Sequence, residues 1–315
     1  MPKWDRFNFE SPTGTIFTSS SWLTAMGSSS GISLAVALLE SEGHWTCGLP
    51  VAIREKGLFR TAMALPASPY FGFVLSDSLG FSPAQNTVNE AVARLTSEIL
   101  KHAHYVEVPN RPGLTMCAPH GLDLEERKTY IRDLEKGGGS EEPDKQVRYE
   151  LRRAELSNLR VGPGDPAGFL NLIQPAFRSK GLDVPLTKPE FMELYRKFHP
   201  NGQISIYLAR RGVDIAAGAV VLRDHHSHYY WLAATNPTFR STGASYLLLH
   251  EILRDLRRSG PSELDLVGAN IPSVAKFKAH FASKTQSYLV LKGFSSIYAR
   301  LGRRVYQRMR GVKPA

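Results

Sequence analysis

Cysteine is nearly missing from this chain, with Cys47 and Cys117 the two examples in 315 residues. Neither has companions at metal-ligand or disulfide-framework spacing, which sets both classes aside and leads us to expect a reducing, cytoplasmic location. Long apolar runs are also missing. A bilayer span needs about 18 consecutive apolar residues, and the run Ile215 to Leu222 is far too short. The opening residues, Met1-Pro-Lys-Trp-Asp-Arg-Phe-Asn8, lack the apolar segment of a secretory signal. Low-complexity sequence is confined to Lys136-Gly-Gly-Gly-Ser-Glu-Glu-Pro-Asp144, a polar stretch that cannot bury itself. Acid is missing from the C-terminal end. From Lys292 onward there are seven Lys and Arg residues and no Asp or Glu, so this segment holds +7 of the net charge of +10.

The remaining composition is that of a folded protein, 42% hydrophobic and 22% charged, and the length favours two domains. An internal repeat supports that count. A hairpin from Val51 to Ala64 turns at Lys56-Gly57, and a second, from Ile204 to Leu222, turns at Arg211-Gly212. A helix follows each hairpin, marked by Val88, Ala91, Val92, Leu95 and Ile99 in one copy and by Leu248, Leu249, Ile252, Leu253 and Leu256 in the other. A strand then follows, Tyr105 to Val108 or Leu264 to Val267, and the offset between the copies stays at about 155 to 159 residues from turn to strand. The polar stretch at 136–144 divides the chain into 1–140 and 141–315, flanked by charged runs, Asp123 to Glu135 and Lys145 to Ser157, that read as helices. In the tail, Ile297, Leu301, Val305 and Met309 recur every fourth position, with Arg300, Arg303, Arg304, Arg308 and Arg310 mostly elsewhere. A basic amphipathic helix of this kind reads either as an anionic-surface contact or as a closing helix packed on the second domain.

Residues 236–248 lie between a strand-like run, His228 to Ala234, and the helix from Ala244 to Arg258. A basic residue and a small-residue turn that open a helix form an anion site, because the first N–H groups of the helix have no carbonyl to bond. Arg240, Ser241, Gly243 and Ala244 are the candidates to hold the pyrophosphate of an acyl carrier. The matching turn in the first copy, Leu79 to Asn86, has no basic residue and carries Pro83. Asp265 interrupts an apolar strand, and a buried carboxylate must be paired or face a ligand. It is a candidate proton acceptor for an attacking amine. Arg148 and Arg152 share a helix face and suit an acceptor carboxylate or phosphate. His225, His226 and His228, like His102 and His104, lack converging partners, and no metal site is expected.

Taken together, residues 145–290 resemble the FemAB-like, or BioF2-like, branch of the GNAT acyltransferases. The likeness rests on Lys145 to Leu156 (KQVRYELRRAEL), the hairpin at Arg211-Gly212, the aromatic strand Tyr229-Tyr230-Trp231, the Arg240 turn, Gly268-Ala269-Asn270 and the Phe277-Lys278 pair. With Phe17 to Trp22 and Leu65 to Phe73 it extends over nearly the whole chain. It implies an α/β (α+β) fold of tandem GNAT-like units with mixed, mainly antiparallel sheets flanked by helices. It implies a cleft beside the aromatic strand, with Tyr230 and Lys278 as catalytic candidates beside Asp265, and Trp231, Asn270 and Lys276 as acceptor contacts beside the arginine pair. Phe277 would anchor its helix in the core. The implied reaction is acyl transfer from acyl-CoA, acetyl-CoA included, to an amine, with a cell-envelope or polysaccharide precursor as acceptor. Two alternatives stay open: an aminoacyl-tRNA donor, and a non-catalytic GNAT-like module that binds polyanions or a membrane surface. A cytoplasmic enzyme with its basic tail at the inner face of the membrane fits the charge pattern.

Overall fold

The computed structural model describes residues 2–27, 31–80, 85–134, 143–179, 181–258, 260–268 and 272–301. By contact the chain forms two compact units. One comprises Met1–Arg127 with the segment that starts at Ser287; the other is Lys128–Gln286. These units are delimited differently from halves cut at 140/141, because the chain returns to the first unit at its end.

The first unit holds α1 (Pro2–Glu10), α2 (Ser20–Met26), β1 (Ile32–Ser41), β2 (His44–Lys56), β3 (Phe59–Met63), β4 (Val74–Leu75), α3 (Asp77–Gly80), α4 (Gln85–His102) and β5 (Tyr105–Pro109). The strand order is β1-β2-β3-β5, completed beside β5 by the last strand, β12 (Lys284–Phe294), with β4 against β2. All pairings here are antiparallel except β3 with β5. The β2–β3 turn falls where the sequence places it, with Gly57 at φ 61°. Val88, Val92, Leu95 and Ile99 of α4 pack on Leu49, Val51, Val106 and Val108 of the sheet.

The second unit takes up β6 (Leu122–Asp133) from Lys128 and continues through α5 (Lys145–Leu156), β7 (Arg160–Pro163), α6 (Pro166–Arg178) and α7 (Lys188–Phe198). It ends with β8 (Ile204–Arg211), β9 (Asp214–Arg223), β10 (His228–Thr235), α8 (Ala244–Leu256), β11 (Glu263–Asp265) and α9 (Pro272–Ala279). Its order is β6-β11-β10-β9-β8-β7, antiparallel except for β10 with β11. Helix starts follow local chemistry. Asp144 caps α5 by accepting from the Gln146 N–H, and Asp165 caps α6 from the Gly168 N–H at 2.8 Å, ahead of Pro166. The apolar stripe of α8, Leu248, Leu249, Ile252 and Leu253, is buried against the sheet and α5. No helix among the described residues is long and apolar enough to cross a membrane. The fold is thus the mixed, mainly antiparallel tandem arrangement implied by the resemblance.

Two readings of the sequence need correction. Asp123 to Glu135 is not a helix, since Leu122–Asp133 is β6. Its charges are neutralised along and across strands: Arg127 bonds Glu125 of the same strand at 2.6 Å and Glu107 of β5 at 3.3 Å, and Lys292 of β12 reaches Glu125. Pairing with β11 fixes the remainder, so tertiary contact overrides the helix preference of Glu, Arg and Lys. The repeat is also one strand out of register in its hairpins. In each unit the strand before the long helix runs parallel to the strand after it, so β1-β2-β3-α4-β5 corresponds to β8-β9-β10-α8-β11. The Lys56-Gly57 hairpin therefore matches β9–β10, not the Arg211-Gly212 hairpin. Val305, Met309 and the arginines beyond Leu301 lie outside the described residues, as does nearly all of the 136–144 stretch.

Candidate active site

The site begins where two strands part. β10 pairs with β9 along its length, but on its other side it meets β11 only through His228↔Leu264 and Tyr229↔Asp265. β11 stops there because Asp265 Oδ1 accepts the Val267 N–H at 2.7 Å and the Thr129 hydroxyl at 2.6 Å, closing a turn that takes Val267 to φ 48° and Gly268 to φ 73°. A β-branched residue at positive φ is strained, and such strain collects at functional positions. Beyond the parting, β10 carries a bulge: Tyr230 faces Val221 and Leu232 faces Val220, which leaves Trp231 as the extra residue.

A cleft of about 550 Å³ opens along this edge, lined by Tyr230 to Thr235, the first turn of α8, Arg240, Glu150 of α5, Phe177 of α6, and Ser273, Val274, Phe277 and Lys278 of α9. The lining includes the start of α8. Ala244, Ser245 and Tyr246 are its first residues, and the first helical bond is donated by Leu247 to Gly243 O. The N–H groups before it have no helical acceptor. Arg240 flanks them, its Nη2 donating to Ser179 Oγ at 2.7 Å.

Lys278 also lines the cleft. Its ammonium donates to the carbonyls of Val267 and Gly268, the latter at 3.0 Å, so the lysine ties α9 to the turn that ends β11. Burial lowers its pKa to about 8, with the Asp265 charge working the other way. Burial pushes the Tyr230 hydroxyl up, which keeps it a protonated donor at neutral pH. Phe277 meets Tyr246 edge-on at 5.0 Å and packs on the core of the unit.

The structure thus brings Tyr230, Trp231, Arg240, Gly243, Ala244 and Lys278 to one cleft. The cleft is lined without Asp265, which is buried behind the turn, and without Ser241, whose carbonyl accepts from Arg153. Arg148, Arg152 and Lys276 are exposed and stand outside the lining. Asn270 lies outside the described residues. Gly243 has a packing reason to be a glycine. It adopts φ 76°, and a Cβ there would come within 2.1 Å of Glu150 O, so it is the point where α8 rests on α5.

Sequence reasoning missed Glu150 and Arg153. Glu150 shares the buried face of α5 with Val147 and Ala154, and a carboxylate in an apolar stripe is the signal that could have flagged it. Arg153 Nη1 bonds both Glu150 oxygens, at 3.1 and 3.2 Å, while its Nη2 holds Ser241 O. Of the α5 arginines, this is the one bonded to the turn before α8. Among the described residues no group of three His, Cys, Asp or Glu side chains could hold a metal.

Residues 144–279 match the family described as Acetyltransferase (GNAT) domain. No curated protein matches the chain. Among solved structures, FemX shares the fold over 91% of this chain and 95% of its own, with 12% identity and a TM-score of 0.64. The C-terminal domain assigned to a lysylphosphatidylglycerol synthetase of Agrobacterium fabrum covers 91% of each chain at 14% identity and TM-score 0.59. A tandem GNAT protein from the clavulanic acid biosynthesis pathway covers 89% of this chain and 95% of its own, at 11% identity and TM-score 0.51. At 11 to 14% identity these structures show that the fold is shared.

Proposed function

We propose that the protein transfers an acyl or aminoacyl group from a CoA-type carrier to a primary amine, and that the acceptor is a cell-envelope precursor. The observation that carries this reading is the cleft itself, whose lining includes Arg240, the start of α8 and Lys278. The carrier's pyrophosphate would sit at the helix start, with its acyl arm along the unpaired edge of β10. The amine nitrogen attacks the thioester carbonyl, the C–N bond forms as the C–S bond breaks, and the proton lost by nitrogen ends on the departing thiolate. Lys278 would face the oxyanion, and Tyr230 would donate to the thiolate. Asp265 acts here by holding the turn. The unit of Met1–Arg127, whose turn lacks a basic residue, serves without a carrier site of its own. The basic tail would keep the enzyme at the inner face of the membrane.

Thermal-shift titration with CoA and acetyl-CoA tests the donor. A ligand at a hundredfold excess over its Kd should stabilise the protein by about 2.7 kcal/mol. Arg240→Ala should weaken donor binding by about 1.5 to 3 kcal/mol, the worth of a charged hydrogen bond. Absence of any shift with either ligand sinks the CoA reading and moves the donor to an aminoacyl carrier. A protein that binds neither kind of donor yet retains anionic vesicles is a binding module instead.

A further inference from the structure

A second cavity, of about 750 Å³, belongs to the first unit and shares no lining residue with the transfer cleft. Its walls are the C-terminal half of α4, the loop that enters β6, and the chain just past β12. Three basic residues (Lys101, His120 and Arg300) and three hydroxyls (Ser97, Ser295 and Ser296) face it, and its lining contains no acid. Glu98 pairs with Lys101 at 2.5 Å and Asp123 with Arg300 at 3.5 Å, but all four side chains are more than half exposed. Such surface pairs are weak and leave both cations able to exchange partners. Leu100 and Leu122 supply an apolar wall. Cations and hydroxyls at that density match a phosphate ester.

The cavity mouth carries a second kind of surface. Ile297 lines the cavity and is 69% exposed, and Tyr298 and Leu301 on the same turn are 82% and 50% exposed. Three large apolar side chains in water beside a basic hollow of this size fit an amphiphile better than a soluble anion. The sequence after Leu301 adds five more Arg and Lys residues and no acid. We propose that this cavity receives the phosphate-bearing headgroup of an anionic phospholipid in a bilayer, with Ile297, Tyr298 and Leu301 entering the boundary of the acyl chains. The site stands apart from the transfer chemistry and does not depend on it.

Co-flotation of the full chain with mixed phosphatidylcholine–phosphatidylglycerol vesicles, against pure phosphatidylcholine, tests the proposal. Binding to the mixed vesicles is expected and binding to the neutral ones is not. Each basic residue at an anionic surface is worth about fivefold, so Lys101→Gln with Arg300→Gln should weaken binding about 30-fold. These residues are exposed, and an unchanged melting curve establishes that the variant is folded. Ile297→Asp should weaken binding as well. A chain ending at Leu301 should bind more weakly, with its residual binding still lost on changing Lys101 and Arg300. Three results overturn the proposal. The double variant could bind like the wild type while truncation abolishes binding, which assigns the contact to the tail alone. The wild type could bind both vesicles equally or neither. Lastly, sn-glycerol 3-phosphate could stabilise the protein while vesicles do not bind, which would make the ligand a soluble phosphate ester.

Discussion

Gly243→Ala separates what the fold needs from what a ligand needs. The residue sits at φ 76°, and its missing Cβ would lie 2.1 Å from Glu150 O and 3.2 Å from Ala154 N. Both atoms are backbone of α5, so no side chain can swing away; α5 and α8 must separate by roughly 1 Å or the helix start must unwind. Left-handed backbone costs an alanine about 1 to 2 kcal/mol. Over-packing in a tight interior costs about 1 to 3 kcal/mol more. The sum, about 2 to 5 kcal/mol, is a large share of the roughly 5 to 15 kcal/mol that holds a protein together. At about 2 to 4 °C per kcal/mol for units of this size, the melting temperature should fall by about 4 to 20 °C. Circular dichroism melts without any ligand measure this directly. Arg240→Ala is the control: the side chain is exposed and bonds Ser179, so its melting should move by less than about 0.5 kcal/mol. The reasoning fails if Gly243→Ala melts like the wild type but loses donor binding, because the glycine would then serve ligand approach and not helix contact.

Three further outcomes are expected. Lys278 loses its proton near pH 8 when folded but keeps it to near 10.5 when unfolded, so wild-type stability should gain between those values relative to Lys278→Met; parallel urea-derived stabilities for the two proteins across that window would show that the burial is not felt. Arg153→Met should weaken donor binding by exposing the cleft to the Glu150 charge, and adding Glu150→Gln should restore part of the loss, with a coupling of about 0.5 to 3 kcal/mol; strictly additive affinities by calorimetry would deny the shared role. Arg127, and then Lys292, hold the Glu125 carboxyl at about 2, so its contribution is present above the ordinary value of 4.5 and lost as pH falls from there toward 2. The advantage of the wild type over Glu125→Gln in denaturant midpoint should shrink over that range, and an advantage that stays constant counts against it.

What could be read from the residues was what local chemistry decides. The turns at Gly57 and Gly212 need positive φ, α8 has a four-residue-spaced apolar stripe, and the turn before it is basic and small. Each of these is written within a dozen residues. β6 was misread because Glu, Glu, Arg and Lys are individually helix formers, and only partners in distant strands make them a strand. The hairpin register of the repeat was misread for a related reason, since turns look alike and sheet position is not local. Arg240 and Lys278 could be picked out by charge and resemblance. Arg153 could not be told from Arg148 and Arg152 by spacing alone, because all three lie within six residues of one helix and only its packing on α8 turns one toward Ser241. Asp265 was rightly marked as a carboxylate that must be paired; what the pattern could not supply was Thr129, a partner 136 positions away.

The pairing of β12 with β5 bears on how the protein is made. Val290 to Phe294 is the antiparallel neighbour of Tyr105 to Pro109, so the strand order that begins at Ile32 waits for a segment made only after the whole Lys128–Gln286 unit. While the ribosome is still at work, Tyr-Val-Glu-Val-Pro presents an open apolar edge, the kind of surface that recruits stray strands. A fragment cut at the glycine-rich stretch would keep that edge permanently and should aggregate. A circular permutant that joins the segment after Ser287 to the N-terminal unit should let that unit close its sheet early and on its own.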